Sequence, residues 1–326
     1  MDPTFPLFPI FAGIGCVVIL IPLPWHLEAW NSGTCYFIFW TFLGCLNQLV
    51  NSIVWRNNAL NVAPIWCDIS TRIIIAASVG IPAASLSINR RLYLISRCRA
   101  ATVTIRDKRR AIFVDSMICL VFPLIYLVME YVVQGHRFNI FEQLGCYPAV
   151  YNVLPAYFLV NMWPVLIGLV SAVYCFLSLK NLASRRAAFR EYLTSGTSLT
   201  GSRYLRLMAL AMTDILLDTP LGIYEIYSNA IAGPIQPWIS WEDTHFDFSH
   251  VEQFPAVIWR GEPLLNIPLE LSRWLIVVCA LVFFAFFGFA EEARRNYRAA
   301  WTWITGKLGF RRSQNRASAK GAKGEK

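Results

Sequence analysis

SINRRLYLISRCRAATVTIRDKRRA, Ser87 to Ala111, carries eight cations, Arg90, Arg91, Arg97, Arg99, Arg106, Lys108, Arg109 and Arg110, against one acid, Asp107. It overlaps the end of one long apolar run, Cys67 to Tyr93, and the start of the next, Ala111 to Val133. A helix needs about 20 apolar residues to cross ~30 Å of hydrocarbon at 1.5 Å per residue. Cations gathered in the short connection between two such runs mark the cytoplasmic side of a membrane protein. The net charge of +9 in 326 residues would also suit a nucleic-acid binder, but there the cations would spread along a folded face. Here they cluster in connections and in the tail, in a chain that is 56% hydrophobic and only 15% charged.

Working outward, seven runs predict an all-α bundle of membrane-spanning helices: Phe5 to Leu23, Thr34 to Trp55, Cys67 to Tyr93, Ala111 to Val133, Pro155 to Leu179, Tyr204 to Tyr227 and Leu264 to Phe289. No internal repeat is visible, unlike transporters built from duplicated halves. The first run begins almost at Met1, with Asp2 where a signal peptide would be basic, and reads as a retained helix. Ser96 to Arg110 carries six basic residues, Lys180 to Arg203 five and Ala290 to Lys326 ten, all on one side of a seven-span chain. The positive-inside rule then places the N-terminus outside and the C-terminus in the cytosol. The expected organisation is a bundle over 1–289, an amphipathic juxtamembrane helix over 290–310 and a basic disordered tail over 311–326. In the middle segment Phe289, Ala293, Tyr297, Ala300, Ile304 and Leu308 form one stripe, with Arg294, Arg295, Arg298 and Lys307 mainly off it. That pattern suits the anionic lipid of the inner leaflet.

Ionisable and amide groups inside spans are costly and mark candidate sites. Asp68 and Arg72 stand four apart in the order that favours a pair on one helix. Asn47 and Asn51, with Gln48, lie on the second run, and Asp214, Asp218, Tyr224 and Glu225 on the sixth beside Pro220. Glu270 and Arg273 share a face of the seventh, where Arg273 must find an anion, most simply Glu270. The structural alternative for each is polar contact between helices, the stronger reading for Asn47 and Asn51. Pro82, Pro164 and Pro220 are candidate flex points.

Of nine cysteines, Cys67 and Cys146 are the two expected at the outer surface, where they can oxidise to pin a loop over the bundle or remain two thiols. All six lysines fall in cytoplasmic segments, so no retinal Schiff base forms in the seventh run. No histidine is expected within the membrane, and His245 and His250 with Asp243 and Asp247 read as a solvated loop; no metal site, haem or other cofactor is expected. No nucleophile–base arrangement suggests an enzyme.

Several motifs carry a resemblance. LPWHLEAWNSGT (Leu23 to Thr34), CLNQLVNSIVW (Cys45 to Trp55), WCDISTRI (Trp66 to Ile73) and SINRRLY (Ser87 to Tyr93) resemble the fungal mating-pheromone receptors of the a-factor (Ste3-like) family. So do KRRAIFVD (Lys108 to Asp115), GHRFNIFEQLGCYP (Gly135 to Pro148) and SRWLIVVCALVFFAFFGFAEEARRNYR (Ser272 to Arg298), and the basidiomycete branch is most similar. The resemblance implies a G-protein-coupled receptor in the plasma membrane. Its ligand would be a prenylated peptide, and its output a heterotrimeric G protein and a mitogen-activated kinase cascade leading to mating. Under that reading the polar groups within the spans supply the expected ligand contacts: Asn47, Asn51, Asp68, Arg72, Asp218, Tyr224, Glu225, Glu270 and Arg273. Coupling would fall to Arg90, Arg91, Tyr93, Arg109, Arg110 and Arg206. Asn-Arg-Arg-Leu-Tyr stands where rhodopsin-like receptors carry Asp-Arg-Tyr, so the choice between Arg90 and Arg91 stays open. A longer Ser/Thr-rich tail is expected of the family than the one here, though Ser195 to Ser202 is a Ser/Thr/Gly-rich loop. The alternative function is a transporter or channel using Asp214, Asp218 and Arg273 as a pathway.

Overall fold

The computed structural model describes residues 4–97, 104–184 and 201–289, with Ala293 and Thr305 beyond them. Seven of its helices are long and apolar enough to cross a membrane: Leu7–Glu28, Ser32–Val54, Pro64–Arg97, Ile105–Val132, Leu154–Ser184, Tyr204–Ala232 and Pro263–Phe287. They are spans one to seven below. The expected helix over 290–310 lies outside the described residues except for Ala293 and Thr305, both helical. The tail over 311–326 and most of the Ser195 to Ser202 loop lie outside them too.

Span three is the axis, packing against spans two, four, five and six. At 34 residues it is about 50 Å long and projects beyond the hydrocarbon. Its buried faces are built from small residues, among them Ala76, Ala77, Gly80, Ala83, Ala84, Ser85 and Ser87, which let neighbouring backbones approach closely. Gly80 shows why. A Cβ built there would lie 2.6 Å from the indole of Trp40 in span two, and that indole donates to the Cys119 carbonyl of span four at 2.8 Å. One missing methyl thus lets three helices meet.

Proline shapes the outer helices of the bundle. Wide π turns occupy Met117–Val121 and Tyr157–Asn161, shortly before Pro123 and Pro164. A proline ring in a helix collides with the carbonyl four residues earlier, here that of Cys119 and Val160, and a wider turn makes room for it. Pro82, Pro220 and Pro268 lie inside helices with no such turn.

One end of the bundle carries a small sheet that the sequence reading did not anticipate. β1 (Phe138–Phe141) pairs antiparallel with β2 (Gly145–Tyr147), Ile140 opposite Cys146. β1 also pairs parallel with β3 (Val251–Phe254) from the connection between spans six and seven, Phe138 opposite Val251. The Cys67–Cys146 disulfide, with Cα atoms 5.2 Å apart, fixes β2 to the start of span three. Gly145 takes φ +85°, and a side chain there would also strike Asn51 at 2.6 Å, so this turn needs glycine twice over.

Gly80→Ala is expected to lower the thermal unfolding temperature of the purified chain, by the ~1–3 kcal/mol typical of overpacking. Gly13→Ala, whose methyl would meet Leu49 at an ordinary 3.9 Å, leaves it unchanged. Melting both variants in the same detergent checks the pair.

Candidate functional site

A cavity of about 430 Å³ lies beneath the sheet, between spans three, five, six and seven. The sheet roofs it with Asn139, Phe141 and Tyr147. Toward the opposite end its wall is mainly apolar, with Ile81, Pro82, Leu275, Ile276 and Cys279 beside the carboxylate of Asp218. The polar groups near the roof include Asn152, Asn229, Ser272 and Glu225. Tyr147 approaches Ser272 at 3.4 Å. Burial, and after it the carboxylate of Glu225, pushes the Tyr147 phenol above its ordinary range, so the hydroxyl stays protonated and able to donate.

Of the nine expected ligand contacts, the cavity wall includes Asp218 and Glu225. The side chain of Asp214 lies outside the described residues. The other seven do not line the cavity; most of them hold it together. Asn51 is helix-to-helix contact: its amide donates to Ser70 at 2.9 Å and accepts from the Trp66 indole at 2.7 Å. Asn47 is buried one turn away. Tyr224 faces Tyr227, ring centres 6.5 Å apart.

Asp68 and Arg72 do not pair with each other, contrary to expectation. Asp68 accepts two bonds from Arg137 of the connection after span four, at 2.9 and 2.6 Å. Arg72 turns to the buried Glu130 of span four and to Gln134 at 2.7 Å. An i,i+4 pair on one helix is worth only a few tenths of a kcal/mol. Glu130, fully buried, would stand uncompensated without Arg72, so the stronger demand wins.

Arg273 does find Glu270, at 2.7 Å. It is 1% exposed and also donates to the Gln143 carbonyl in the β1–β2 turn at 3.3 Å and to Thr4 at 2.9 Å. Glu270 accepts a second cation, Arg260, at 3.0 Å, which itself reaches the Gln143 side chain at 2.7 Å. This network joins the segment before span one and the seventh span to the turn of the sheet. Trp259 is buried beside it and donates to the Glu142 carbonyl at 3.1 Å. Sequence reasoning found Arg273 and Glu270 by their cost in lipid; Gln143 and Trp259 carried no such signal.

The expected coupling residues collect at the other, basic end. Arg90 lies 3.5 Å from the buried Asp115 of span four, which also accepts a bond from Ser32 at 2.5 Å. Arg91 donates to the Trp30 carbonyl at 2.6 Å. The two arginines therefore part, one toward span four and one toward the turn after span one. Tyr93 meets Tyr174 edge-on at 5.6 Å, and Arg206 reaches the Phe286 carbonyl at 3.4 Å. Arg109 and Arg110 are exposed on the first turns of span four. One expectation fails here: His26, predicted to lie in a connection, is fully buried in the helical extension of span one. It packs edge-on to Phe287 at 4.9 Å. The Pro-Trp-His-Leu-Glu run continues helically after a proline at its first turn, a position helices tolerate. Among the described residues no group of His, Cys, Asp and Glu could hold a metal ion.

Arg273→Ala is expected to destabilise the chain by ~3–5 kcal/mol, the usual cost of stranding one partner of a buried pair. Thr4→Ala, which removes the acceptor of one Arg273 hydrogen bond, costs about 1 kcal/mol. Parallel thermal melts of both purified variants measure the difference.

A family profile described as pheromone A receptor matches residues 7–308. The pheromone B alpha 3 receptor of Schizophyllum commune is 56% identical over 95% of this chain and 50% of its own length. Pheromone receptor 1 of Ustilago hordei is 34% identical over 92% of this chain and 83% of its own. The chain thus spans about half the length of the Schizophyllum relatives it matches. Squid rhodopsin shares the fold at 14% identity, with a TM-score of 0.51 over 92% of this chain and 80% of that one. Span seven here has no lysine for a retinal link. The chain belongs to the pheromone A receptor family, multi-pass plasma-membrane proteins with a seven-helix receptor fold, and not to a family of enzymes.

Proposed function

We propose that this chain is a G-protein-coupled receptor for a prenylated peptide pheromone. In this reading the sheet end faces outside and the basic end faces the cytosol. The observation that carries it is the roofed cavity: polar groups gather near the sheet, and toward the middle of the bundle the wall is apolar apart from Asp218. A peptide would be held by the polar part while an isoprenoid fills the apolar part, since lipid tails gain from burial without needing hydrogen bonds. The disulfide at the sheet end agrees with an oxidising exterior, and the exposed Arg109 and Arg110 agree with a cytosolic face.

Signalling then requires two arrangements of the bundle with different affinity for the ligand. Asp115 holds Arg90 while Trp30 holds Arg91. One contact joins spans three and four, the other joins span three to the turn after span one, and both are ones a rearrangement would exchange for contacts to a heterotrimeric G protein. Tyr93, Arg109, Arg110 and Arg206 complete that face, the basic segment over 290–310 would rest on anionic inner-leaflet lipid, and a mitogen-activated kinase cascade would carry the mating response onward. Asn47, Asn51, Asp68, Arg72, Glu270 and Arg273 serve this reading as the frame of the pocket, with Tyr224 beside Glu225 on span six.

Membranes containing the full chain and a purified fungal heterotrimer, challenged with S-farnesyl peptide methyl esters, are expected to show ligand-dependent nucleotide exchange. The Arg90→Ala, Arg91→Ala double variant is expected to lose exchange while still binding the peptide. Ligand-driven uptake or current with no G protein present would overturn the receptor reading in favour of a transporter.

A further inference from the structure

The charges placed among the helices are answered by partners, with one exception at the cavity. Arg72 has Glu130, Arg90 has Asp115, Asp68 has Arg137, and Arg273 and Arg260 share Glu270. Glu225 of span six, by contrast, is half-buried on the cavity wall and makes no ion pair or hydrogen bond among the described residues. It lies within electrostatic range of the hydroxyls of Tyr126 and Tyr147, both cavity-lining. The lining includes a second carboxylate, Asp218, seven residues earlier on the same helix, and contains no Lys, Arg or His. Seven residues are two helical turns, so Asp218 lies about 10 Å further from the roof on the same face.

We infer that the cavity selects a ligand bearing a positively charged group, an Arg or Lys side chain or a free amine, and that Glu225 receives it. The inference rests on the reading of this cavity as the ligand site and adds the charge that the ligand must carry there. A carboxylate in a partly dry pocket with no cation of its own gains most from a ligand that brings one. A neutral ligand of the same shape would strand it, and an anionic one would meet a like charge. The Tyr126 hydroxyl donates its one proton to the Val160 carbonyl at 3.0 Å and the Tyr147 hydroxyl lies 3.4 Å from Ser272, so neither answers the carboxylate before a cation arrives. Selectivity therefore comes as much from rejection of neutral and acidic relatives as from attraction.

Thermal unfolding of the full chain in lipid nanodiscs tests this with two matched pairs of probes. S-farnesylcysteine methyl ester, whose amine is free, is compared with its N-acetyl form; decylamine is compared with decanol. In the wild type each amine is expected to stabilise at a concentration at least tenfold below that of its neutral partner. Glu225→Gln should erase that difference while keeping the response to the neutral probes, and Glu225→Asp should preserve it. Equal midpoints for amine and neutral probes in the wild type overturn the inference, a comparison that stands even if the Gln variant gives no folded protein. A difference retained in a folded Glu225→Gln variant also overturns the assignment to Glu225. A response to decylamine with neither farnesyl probe active would uphold the charge selection and instead count against a prenylated ligand. Silence from all four probes overturns both.

Discussion

The buried guanidinium of Arg273 sets the terms for the end of the bundle where the cavity lies. A permanent charge at that depth must be met by an anion and by hydrogen bonds. Meeting it recruits Glu270 from its own helix, the Gln143 carbonyl from the sheet and Thr4 from the segment before span one. Because Arg260 shares Glu270 and also holds Gln143, the roof of the cavity is positioned by the same group that neutralises the helix. The disulfide anchors the same hairpin to span three through Cys146. The roof is thus pinned by two interactions of different chemistry, one covalent and one ionic.

The middle of the bundle follows another constraint. With no water to drive helices together in lipid, close packing must do so, and the small residues of span three supply it. Trp40 against Gly80 is the clearest case, since the same side chain fills a groove on one neighbour and bonds the backbone of another. Widened turns ahead of Pro123 and Pro164 leave spans four and five locally irregular beside this close-packed axis. One of them, around Val160 and Asn161, borders the cavity itself. Irregular backbone at membrane depth is tolerated where it lines a pocket.

The seven spans were legible because hydrocarbon thickness imposes a minimum run of apolar residues, a signal local to each helix. Cation clusters such as Arg97 to Arg110 were legible for the same reason. Partner choice was not. Asp68 and Arg72 looked like a pair because they are neighbours in sequence, whereas their true partners stand 69 and 58 residues further along. The sheet escaped notice because its strands are three or four residues long and one pairing joins segments more than a hundred residues apart. His26 was misplaced because a short polar run after an apolar helix reads as a connection, while burial against Phe283 and Phe287 depends on span seven. Of the candidate site, Asp218 and Glu225 were found by their cost in lipid; that they alone of the candidates face the cavity required the packing.

The parallel pairing of β1 with β3 has a consequence for how the molecule is made. Phe138 meets Val251, so a ribosome feeding the chain into the membrane must finish span six and the following connection before the third strand exists. The β1–β2 hairpin and its bond to Cys67 involve only residues already synthesised, and local contacts of that kind form before distant ones. Arg273 emerges later still. The nascent receptor therefore passes through a stage in which the hairpin is tethered but the mouth of the bundle is unsealed. The contacts of Arg273 with Glu270, the Gln143 carbonyl and Thr4 can close that mouth only after the seventh helix has arrived.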